Sequence, residues 1–133
     1  MHFRKHEHYA LLFMSELARS SETQPLSLAS ICRLHGITLP FLKKIVRTLH
    51  LSGLTKSKEG FGGGYVLSRP PGKITLWDIV RTFDRSDDTR RVKSVKYVDC
   101  PVNRACLPQH IRSTVMTAIE DRLQSITLKE VSL

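Results

Sequence analysis

The 133-residue sequence predicts a mainly α-helical fold with one small β-hairpin. Apolar residues recur every three or four positions in several segments, which is the spacing of amphipathic helices. Four of the seven glycines, Gly60, Gly62, Gly63 and Gly64, fall within five positions between two short strand-like runs. A further apolar stripe follows near the C-terminus. Together these features predict a winged helix-turn-helix domain, with the glycine turn as its wing, followed by a long C-terminal helix.

The first helix is predicted at residues 6–18, and a polar loop follows at residues 20–25. The second helix is expected to start near Ser27 and to stop at Gly36, because glycine readily takes the left-handed conformation that ends a helix. The residues expected to face inward are Tyr9, Leu12, Phe13 and Leu17 in the first helix, and Leu28, Ile31 and Leu34 in the second.

The third helix is expected to run from a cap at Thr38 to about Ser52, with Pro40 tolerated in its first turn. Residues 54–57 and 65–68 are the predicted strands of the hairpin. The inward-facing residues of the third helix are expected to be Leu39, Leu42, Ile45, Val46 and Leu49.

The second half of the chain predicts a short helix at residues 74–83, a charge-dense loop at residues 84–99 and a last helix from about Pro108. The short helix carries Leu76, Ile79 and Val80. The apolar stripe of the last helix consists of Ile111, Val115, Ile119, Leu123 and Ile126.

The positive charge is concentrated in the first half of the chain. Residues 1–75 carry 11 Lys and Arg against 4 Asp and Glu, a net charge of +7, whereas residues 76–133 carry 10 against 8, a net charge of +2. The basic half coincides with the helix-turn-helix pattern and the glycine turn. A concentrated basic field of this kind favours a polyanionic partner.

The composition and the first residues are not those expected of several other classes of protein. The 41% hydrophobic and 25% charged residues are ordinary for a soluble globular domain, and no apolar run has the length needed to cross a membrane. The first residues lack the apolar core of a signal peptide, so a cytoplasmic location is expected. Three cysteines without a regular spacing do not indicate a disulfide framework.

The third helix carries the residues expected to contact nucleic acid. Lys43, Lys44 and Arg47 share one face, opposite the apolar stripe, where they can contact phosphates and where Arg47 can read a guanine edge. The alternative is a merely solvated helix face, which the adjoining wing makes less favoured. A nucleotide-binding loop is disfavoured, because the glycines lead into a strand at Tyr65 and lack the Gly-Lys-Ser/Thr sequence.

Residues 38–49, 52–54 and 60–69 resemble the Rrf-two family of bacterial winged-helix transcription regulators, and the resemblance continues through residues 74–80 and 125–128. The resemblance covers nearly the whole chain, and its Gly-Gly-Gly-Tyr wing is specific. It implies a homodimer on a palindromic operator in double-stranded DNA. The DNA contacts that follow from the resemblance and from the basic face are Thr38, Pro40, Lys43, Lys44, Arg47, Lys56, Lys58, Gly62, Gly63, Gly64 and Tyr65.

The resemblance also implies a division into a DNA-binding domain at residues 1–83, a sensor loop at residues 84–107, and a dimerisation helix with its tail at residues 108–133. Packing of the last helix onto its own domain is the alternative to dimerisation. The dimer contacts expected on that helix are Ile111, Val115, Ile119 and Leu123.

One wing residue departs from the family pattern. IscR-like members place an arginine in the minor groove from the position that Glu59 occupies in this chain. Because phosphates repel a carboxylate, Lys56 or Lys58 is expected to supply the contacts of the wing. An operator sequence therefore does not carry over from IscR-like members.

Cofactor binding is expected at Cys100 and Cys106, which lie six positions apart before the last helix. Cluster-binding members of the family usually carry a third cysteine upstream, where this chain has Ser94 and Val95. His8 stands where NsrR-like members offer an aspartate. The resemblance thus implies a mixed [2Fe–2S] site made of Cys100, Cys106, His8 and either Glu7 or His110.

Two alternatives to the cluster stay open. Cys100 and Cys106 can form a thiol pair that oxidises to a disulfide, with Arg104 favouring the thiolate, or they can have no sensing role. Zinc is less favoured, because only two ligands have metal-site spacing. Cys32 is expected to belong to the core.

The expected function is a dimeric DNA-binding transcription regulator, a repressor, whose operator binding depends on a cluster or on the redox state of Cys100 and Cys106. The alternatives are a cluster-free thiol-switch regulator, a constitutive DNA-binding regulator and a winged-helix module for protein contact. An enzyme is not expected, because the sequence offers neither a nucleophile–base pattern nor paired carboxylates.

Overall fold

A computed structural model describes residues 4–20, 24–83 and 107–132. It confirms the mainly helical fold with one hairpin. The predicted loop at residues 84–99, together with Cys100 and Cys106, lies outside the described residues. The elements, in chain order, are α1 (Lys5–Arg19), α2 (Leu28–His35), α3 (Leu39–Leu51), β1 (Thr55–Lys58), β2 (Gly64–Leu67), a short 3₁₀ helix (Pro71–Lys73), α4 (Leu76–Val80), α5 (Leu107–Ser125) and α6 (Leu128–Val131).

Helix α1 lies at the centre of the domain, in contact with α3, α4, α6 and β2. Phe13 and Leu17 are buried as predicted, whereas Tyr9 and Leu12 are only half-buried. Ala10 and Met14, one turn apart, complete the buried face. The buried stripe is therefore rotated by about one residue from the predicted one, because elements pack against it from several sides.

Helix α2 begins and ends as predicted. The Ser27 hydroxyl accepts a hydrogen bond from the Ser30 backbone N–H at 3.2 Å, and Gly36 takes a left-handed conformation with φ 64°. The predicted burial of Leu34 is wrong, because this side chain is 69% exposed. At about 100° per residue, Leu34 lies about 60° around the helix from Ile31, at the edge of the buried face, where neighbouring elements do not cover it.

Helix α3 buries four of its five predicted inward residues. The exception is Leu39, which is 39% exposed, so its predicted burial is wrong. Leu39 is the first residue of the helix, and side chains there point back beyond the packed turns. Thr38 occupies the cap position without a side-chain cap hydrogen bond. The residues of α3 that form its core face are Leu42, Ile45, Val46 and Leu49.

Strands β1 and β2 form an antiparallel hairpin in which Thr55 pairs with Leu67 and Lys58 pairs with Gly64. Both strands lie one residue closer to the glycine turn than predicted. Leu26 adds an isolated antiparallel bridge to Tyr65, which ties the hairpin to the segment before α2.

The C-terminal segment closes the domain. Helix α4 is shorter than predicted, because Ile74 is extended and Thr75 caps the helix through the backbone N–H of Asp78 at 3.1 Å. The Leu128 backbone N–H donates to the Ile74 carbonyl at 2.7 Å, and Thr75 pairs with Thr127 in an antiparallel bridge. The chain end is thereby held against the start of α4.

Helix α5 carries the predicted apolar stripe in two different environments. Leu123 is buried within the chain near the end of α5, where this helix contacts α4. Ile111 and Val115 are 52% and 50% exposed. Ile126 lies beyond the helix end, and its carbonyl accepts a hydrogen bond from the Leu76 backbone N–H at 3.0 Å.

Candidate nucleic-acid interface

The outward face of α3 carries three cations. Lys43, Lys44 and Arg47 are all exposed, and at about 100° per residue they lie opposite the core face of the helix. Within the part of the chain that the structure describes, none of the three pairs with a carboxylate. They are therefore available to an anionic partner without breaking an internal ion pair.

The start of α3 adds a second feature to this face. Thr38 and Pro40 are exposed, as a DNA contact requires. The Thr38 side chain makes no cap hydrogen bond, and the N-terminal end of a helix carries a partial positive charge. Phosphate oxygens are favoured at such an end.

The wing depends on glycine at each of its predicted positions, for reasons that lie inside the protein. Gly60 and Gly62 have φ values of 101° and 77°, which other residues rarely adopt. The Gly63 backbone N–H donates to the Gly60 carbonyl at 3.0 Å, and a Cβ at position 63 would overlap with the Lys58 carbonyl. These glycines therefore shape the turn, whether or not they contact DNA.

Gly64 is required by a contact that the sequence does not reveal. A Cβ at this position would overlap with the backbone of Leu26 and would lie 2.9 Å from the Ser27 nitrogen. The close approach arises because Leu26 and Tyr65 exchange two backbone hydrogen bonds, at 3.1 and 2.9 Å.

Tyr65, an expected DNA contact, also makes contacts within the protein. Its half-buried ring lies edge-on to Phe13 of α1, with centroids 6.2 Å apart, and edge-on to His50 of α3 at 6.3 Å. The structure therefore places this ring between the wing and the two helices. In that position it fixes the orientation of the wing relative to α3.

The rest of the wing is polar and exposed. Lys56 and Lys58, two residues apart on β1, are both exposed, as is the neighbouring Glu59. Cations and one carboxylate thus occur together on the same hairpin. The carboxylate reduces the positive potential at the end of β1.

Two further cations were not among the DNA contacts expected from the sequence. Arg4 and Lys5 are exposed at the start of α1, and the Lys5 Nζ lies 5.2 Å from the centroid of the Phe41 ring in the first turn of α3. The Arg-Lys pair was visible in the sequence, but the proximity of Lys5 to α3 depends on the packing of α1. The exposed cations that extend from α1 across α3 to the wing form what we call the basic surface: Arg4, Lys5, Lys43, Lys44, Arg47, Lys56 and Lys58.

Phe41 connects the start of α1 to α3. Its ring lies 5.3 Å from that of His6 and 5.4 Å from that of Tyr9, measured between centroids. His8, a candidate cluster ligand, lies between these residues in the sequence and packs edge-on against Tyr9 at 5.4 Å. The segment that carries the candidate ligands is thus in direct contact with the first turn of α3.

The candidate cofactor residues are only partly described. His8 is exposed, and the Glu7 Oε2 accepts a hydrogen bond from the Arg4 backbone N–H at 2.8 Å, which caps α1. Cys100 and Cys106 lie outside the described residues, as does the side chain of His110. Among the residues that are described, no three His, Cys, Asp or Glu side chains come close enough to hold a metal. His8 and Glu7 are donors of the type that the predicted site requires, although Glu7 is already engaged as a cap.

Cys32 is half-buried against the core, as predicted.

The candidate dimer contacts divide between two environments. Ile111 and Val115 are exposed, as is the neighbouring Met116, and Ile119 is half-buried. Leu123 packs within its own chain, which is the alternative that the sequence left open for this helix. Across the described ranges, no helix is long and apolar enough to cross a membrane.

In comparisons with known proteins, this chain is similar to transcriptional regulators. The model of the Rrf2 family, described as an iron-dependent transcriptional regulator, matches residues 3–132. The transcriptional regulator IscR of Enterobacter sp. (strain 638) is 32% identical over 123 residues, which span 92% of this chain and 74% of that protein. The structure of CymR, the global cysteine regulator of B. subtilis, has a TM-score of 0.80 at 27% identity, covering 99% of this chain and 96% of CymR. T. potens IscR has a TM-score of 0.77 at 30% identity, covering 96% and 83% of the two chains.

Proposed function

Because the chain belongs to the Rrf2 family of transcriptional regulators, we propose that it is a cytoplasmic, homodimeric repressor that binds a palindromic operator in double-stranded DNA. The observation that carries this proposal is the basic surface. It places the outward face of α3 between two other cationic segments, the start of α1 and the wing.

Helix α3 is proposed to enter the major groove. Its buried face fixes it to the domain, so the opposite face, with Lys43, Lys44 and Arg47, is the part that can approach DNA. The two lysines would contact phosphates, and Arg47 has the fork geometry that recognises a guanine edge. Thr38 would add a phosphate contact at the start of the helix.

The wing is proposed to lie against the adjacent backbone through Lys56 and Lys58. Tyr65 supports this arrangement, because its ring packs between the wing and the end of α3 and so fixes the distance between the two reading elements. Glu59 opposes the approach of phosphates and limits the affinity of the wing.

Dimerisation is proposed through the exposed part of α5. Ile111, Val115 and Met116 present apolar side chains there that no described residue of the same chain covers well. Burial of such side chains against a second copy would be favourable. Twofold symmetry of the dimer would in turn require two half-sites related by the same symmetry in the operator.

The signal is proposed to act at the start of α1. The candidate site is a [2Fe–2S] cluster held by Cys100, Cys106, His8 and either Glu7 or His110, and such a group would supply a one-electron redox change. If Glu7 is a ligand, it must give up its cap on the Arg4 backbone N–H. His8 neighbours His6 and Tyr9, which touch Phe41 of α3, so a displacement here has a short path to the DNA-reading helix.

The DNA-binding part of the proposal is tested by gel-shift titration on the promoter region of the protein's own gene at several salt concentrations. Lys43→Ala and Lys44→Ala should each weaken binding and reduce the salt slope by about one. Lys129→Ala, which removes an exposed cation from α6 outside the basic surface, is the matched control. Wild-type affinity and slope in both α3 variants would show that α3 is not the reading helix. Absence of salt-dependent binding by the wild type would favour a protein-interaction module.

The sensing part is tested by anaerobic purification, an absorption spectrum, and iron and sulfide analysis. Bound iron and sulfide that are lost in Cys100→Ser, Cys106→Ser and His8→Ala would support the cluster. Colourless, iron-free protein would exclude it. In that case, a Cys100–Cys106 disulfide that forms on oxidation and weakens DNA binding would support the thiol switch, whereas unchanged binding would indicate a constitutive regulator.

A further inference from the structure

Phe61 is a large apolar side chain at the tip of the wing with no protein surface beneath it. Its relative exposure is 113%, so the whole ring is in contact with water. Among the described residues it is the one aromatic side chain found among the large exposed hydrophobics. A ring this exposed contributes nothing to the core. Packing within the chain therefore does not explain why a large apolar residue lies at this position.

The turn holds Phe61 outward by its backbone. Gly60 and Gly62, on either side, both have positive φ, and the Gly63 backbone N–H closes the turn onto the Gly60 carbonyl at 3.0 Å. A Cβ at Gly63 would overlap with the Lys58 carbonyl, so this compact turn requires glycine there. Glycine at positions 60 and 62 permits this conformation, which leaves the ring fully exposed at the tip of the wing.

The surroundings of Phe61 favour a polyanion as its partner. Lys56 and Lys58 are exposed on the strand that leads into the turn, and α3, with its three cations, lies beside the base of the wing. The one carboxylate at this end of the hairpin, Glu59, makes direct phosphate binding by the tip unfavourable. An apolar ring does not depend on that local charge, and it can contact the sugars and base edges between the two phosphate backbones.

We propose that Phe61 enters the minor groove of the operator and wedges against a base step there. This inference rests on the proposed DNA-binding function and deepens it. Apolar side chains that enter the minor groove partly unstack a base step and bend the duplex. The cost of such a bend is lowest at flexible pyrimidine–purine steps, so Phe61 would select sequence through the deformability of the DNA.

The test compares Phe61→Ala with Lys58→Ala in the full-length protein, using the promoter fragment bound by the wild type. Phe61→Ala should lower the affinity about tenfold with an unchanged salt slope, because no charge is removed. Lys58→Ala should reduce the slope by about one. Fluorescence energy transfer between the ends of a labelled duplex should show a smaller bend with Phe61→Ala. Phe61→Leu, which keeps an apolar wedge, should recover part of both the affinity and the bend.

The outcomes separate this inference from the proposed function. If the wild type binds the fragment and Phe61→Ala binds and bends it equally well, the wedge is overturned while DNA binding stands. If the wild type does not bind DNA, the proposed function itself fails. Loss of affinity in Phe61→Ala together with loss of the dimer in sedimentation would place the ring in a protein contact and would also overturn the wedge. Because the ring is fully exposed, circular dichroism should show a wild-type fold for each variant.

Discussion

Gly64 and Leu26 lie in backbone contact, although 38 positions separate them in the sequence. Any Cβ at position 64 would overlap with the Leu26 carbonyl, because Leu26 and Tyr65 are joined by two backbone hydrogen bonds. The wing is therefore attached to the segment that precedes α2. This attachment fixes the hairpin relative to the helix-turn-helix.

Gly64→Ala should destabilise the protein by about 1–3 kcal/mol, since the backbone contact must open to admit a methyl group. Urea unfolding followed by circular dichroism measures the change. Gly72→Ala is the control, because a Cβ there would meet nothing closer than the Lys129 Cδ at 3.8 Å. Equal stability of the two variants would show that the contact between the wing and Leu26 yields easily.

Thr55→Val should stabilise the protein by about 1 kcal/mol. Thr55 is buried, and its Oγ1 has no hydrogen-bond partner among the described residues, so the hydroxyl carries a desolvation cost that a methyl group removes. Valine also keeps the β-branched shape that suits β1. The midpoint of thermal unfolding measures the gain, with the exposed Ser57→Ala as the control on the same strand. A lower midpoint for Thr55→Val would mean that the hydroxyl has a partner in solution.

Glu59→Gln should raise DNA affinity about threefold at low salt, and the gain should shrink as salt screens the wing. The exposed carboxylate lies at the end of β1, beside the lysines proposed to contact phosphates. Filter binding at several salt concentrations measures the effect. Asp121→Asn, which neutralises an exposed carboxylate on α5, should leave the affinity unchanged. An equal gain in the two variants would indicate only the change in net charge.

Glu130 makes stability depend on pH at the C-terminal end of the chain. Its carboxylate accepts hydrogen bonds from the Thr127 backbone N–H at 2.6 Å and from the Thr127 hydroxyl at 3.0 Å, and these bonds lower the pKa of Glu130 below its usual 4.5. A lowered folded-state pKa contributes stability above the unfolded-state value, and that contribution is lost as the pH falls through the folded-state value.

Glu130→Gln should therefore lower the thermal midpoint at neutral pH, and the difference from the wild type should diminish as the pH falls below about 4.5. Thermal unfolding in a series of buffers measures both curves. Asp121→Asn serves as the control for a carboxylate outside this cap. A difference that stays constant across the acidic range would show that the charge of Glu130 does not stabilise α6.

The helices were predictable wherever a strong apolar period coincided with a local stop signal. Gly36 and Ser27 set the limits of α2, and the core face of α3 followed from its spacing. The wrong predictions of burial concern residues at the edges of the buried helix faces. Leu34 and Leu39 are apolar but lie at the edge of the buried face, and only the packing of neighbouring elements decides whether such a position is covered.

The residues of the candidate site also differ in whether the sequence alone could place them. Lys43, Lys44 and Arg47 could be assigned to one outward face from helical spacing alone. The place of Lys5 beside Phe41 could not be predicted, because it depends on how α1 packs across α3. The packing of the Tyr65 ring against Phe13 and His50 could not be predicted either, because it joins segments that are distant in the sequence.

Local patterns predicted helices α1 to α5 and the glycine hairpin, because helical periodicity, caps and turn residues are local properties of a chain; the 3₁₀ helix and α6 were not predicted. The motifs of the third helix and the wing indicated the family. Tertiary packing requires Gly64 at the contact with Leu26 and brings the start of α1 against α3. It also decided that Leu123 packs within its own chain while Ile111 stays exposed. Contacts between distant segments follow from how whole faces pack, and no local pattern encodes them.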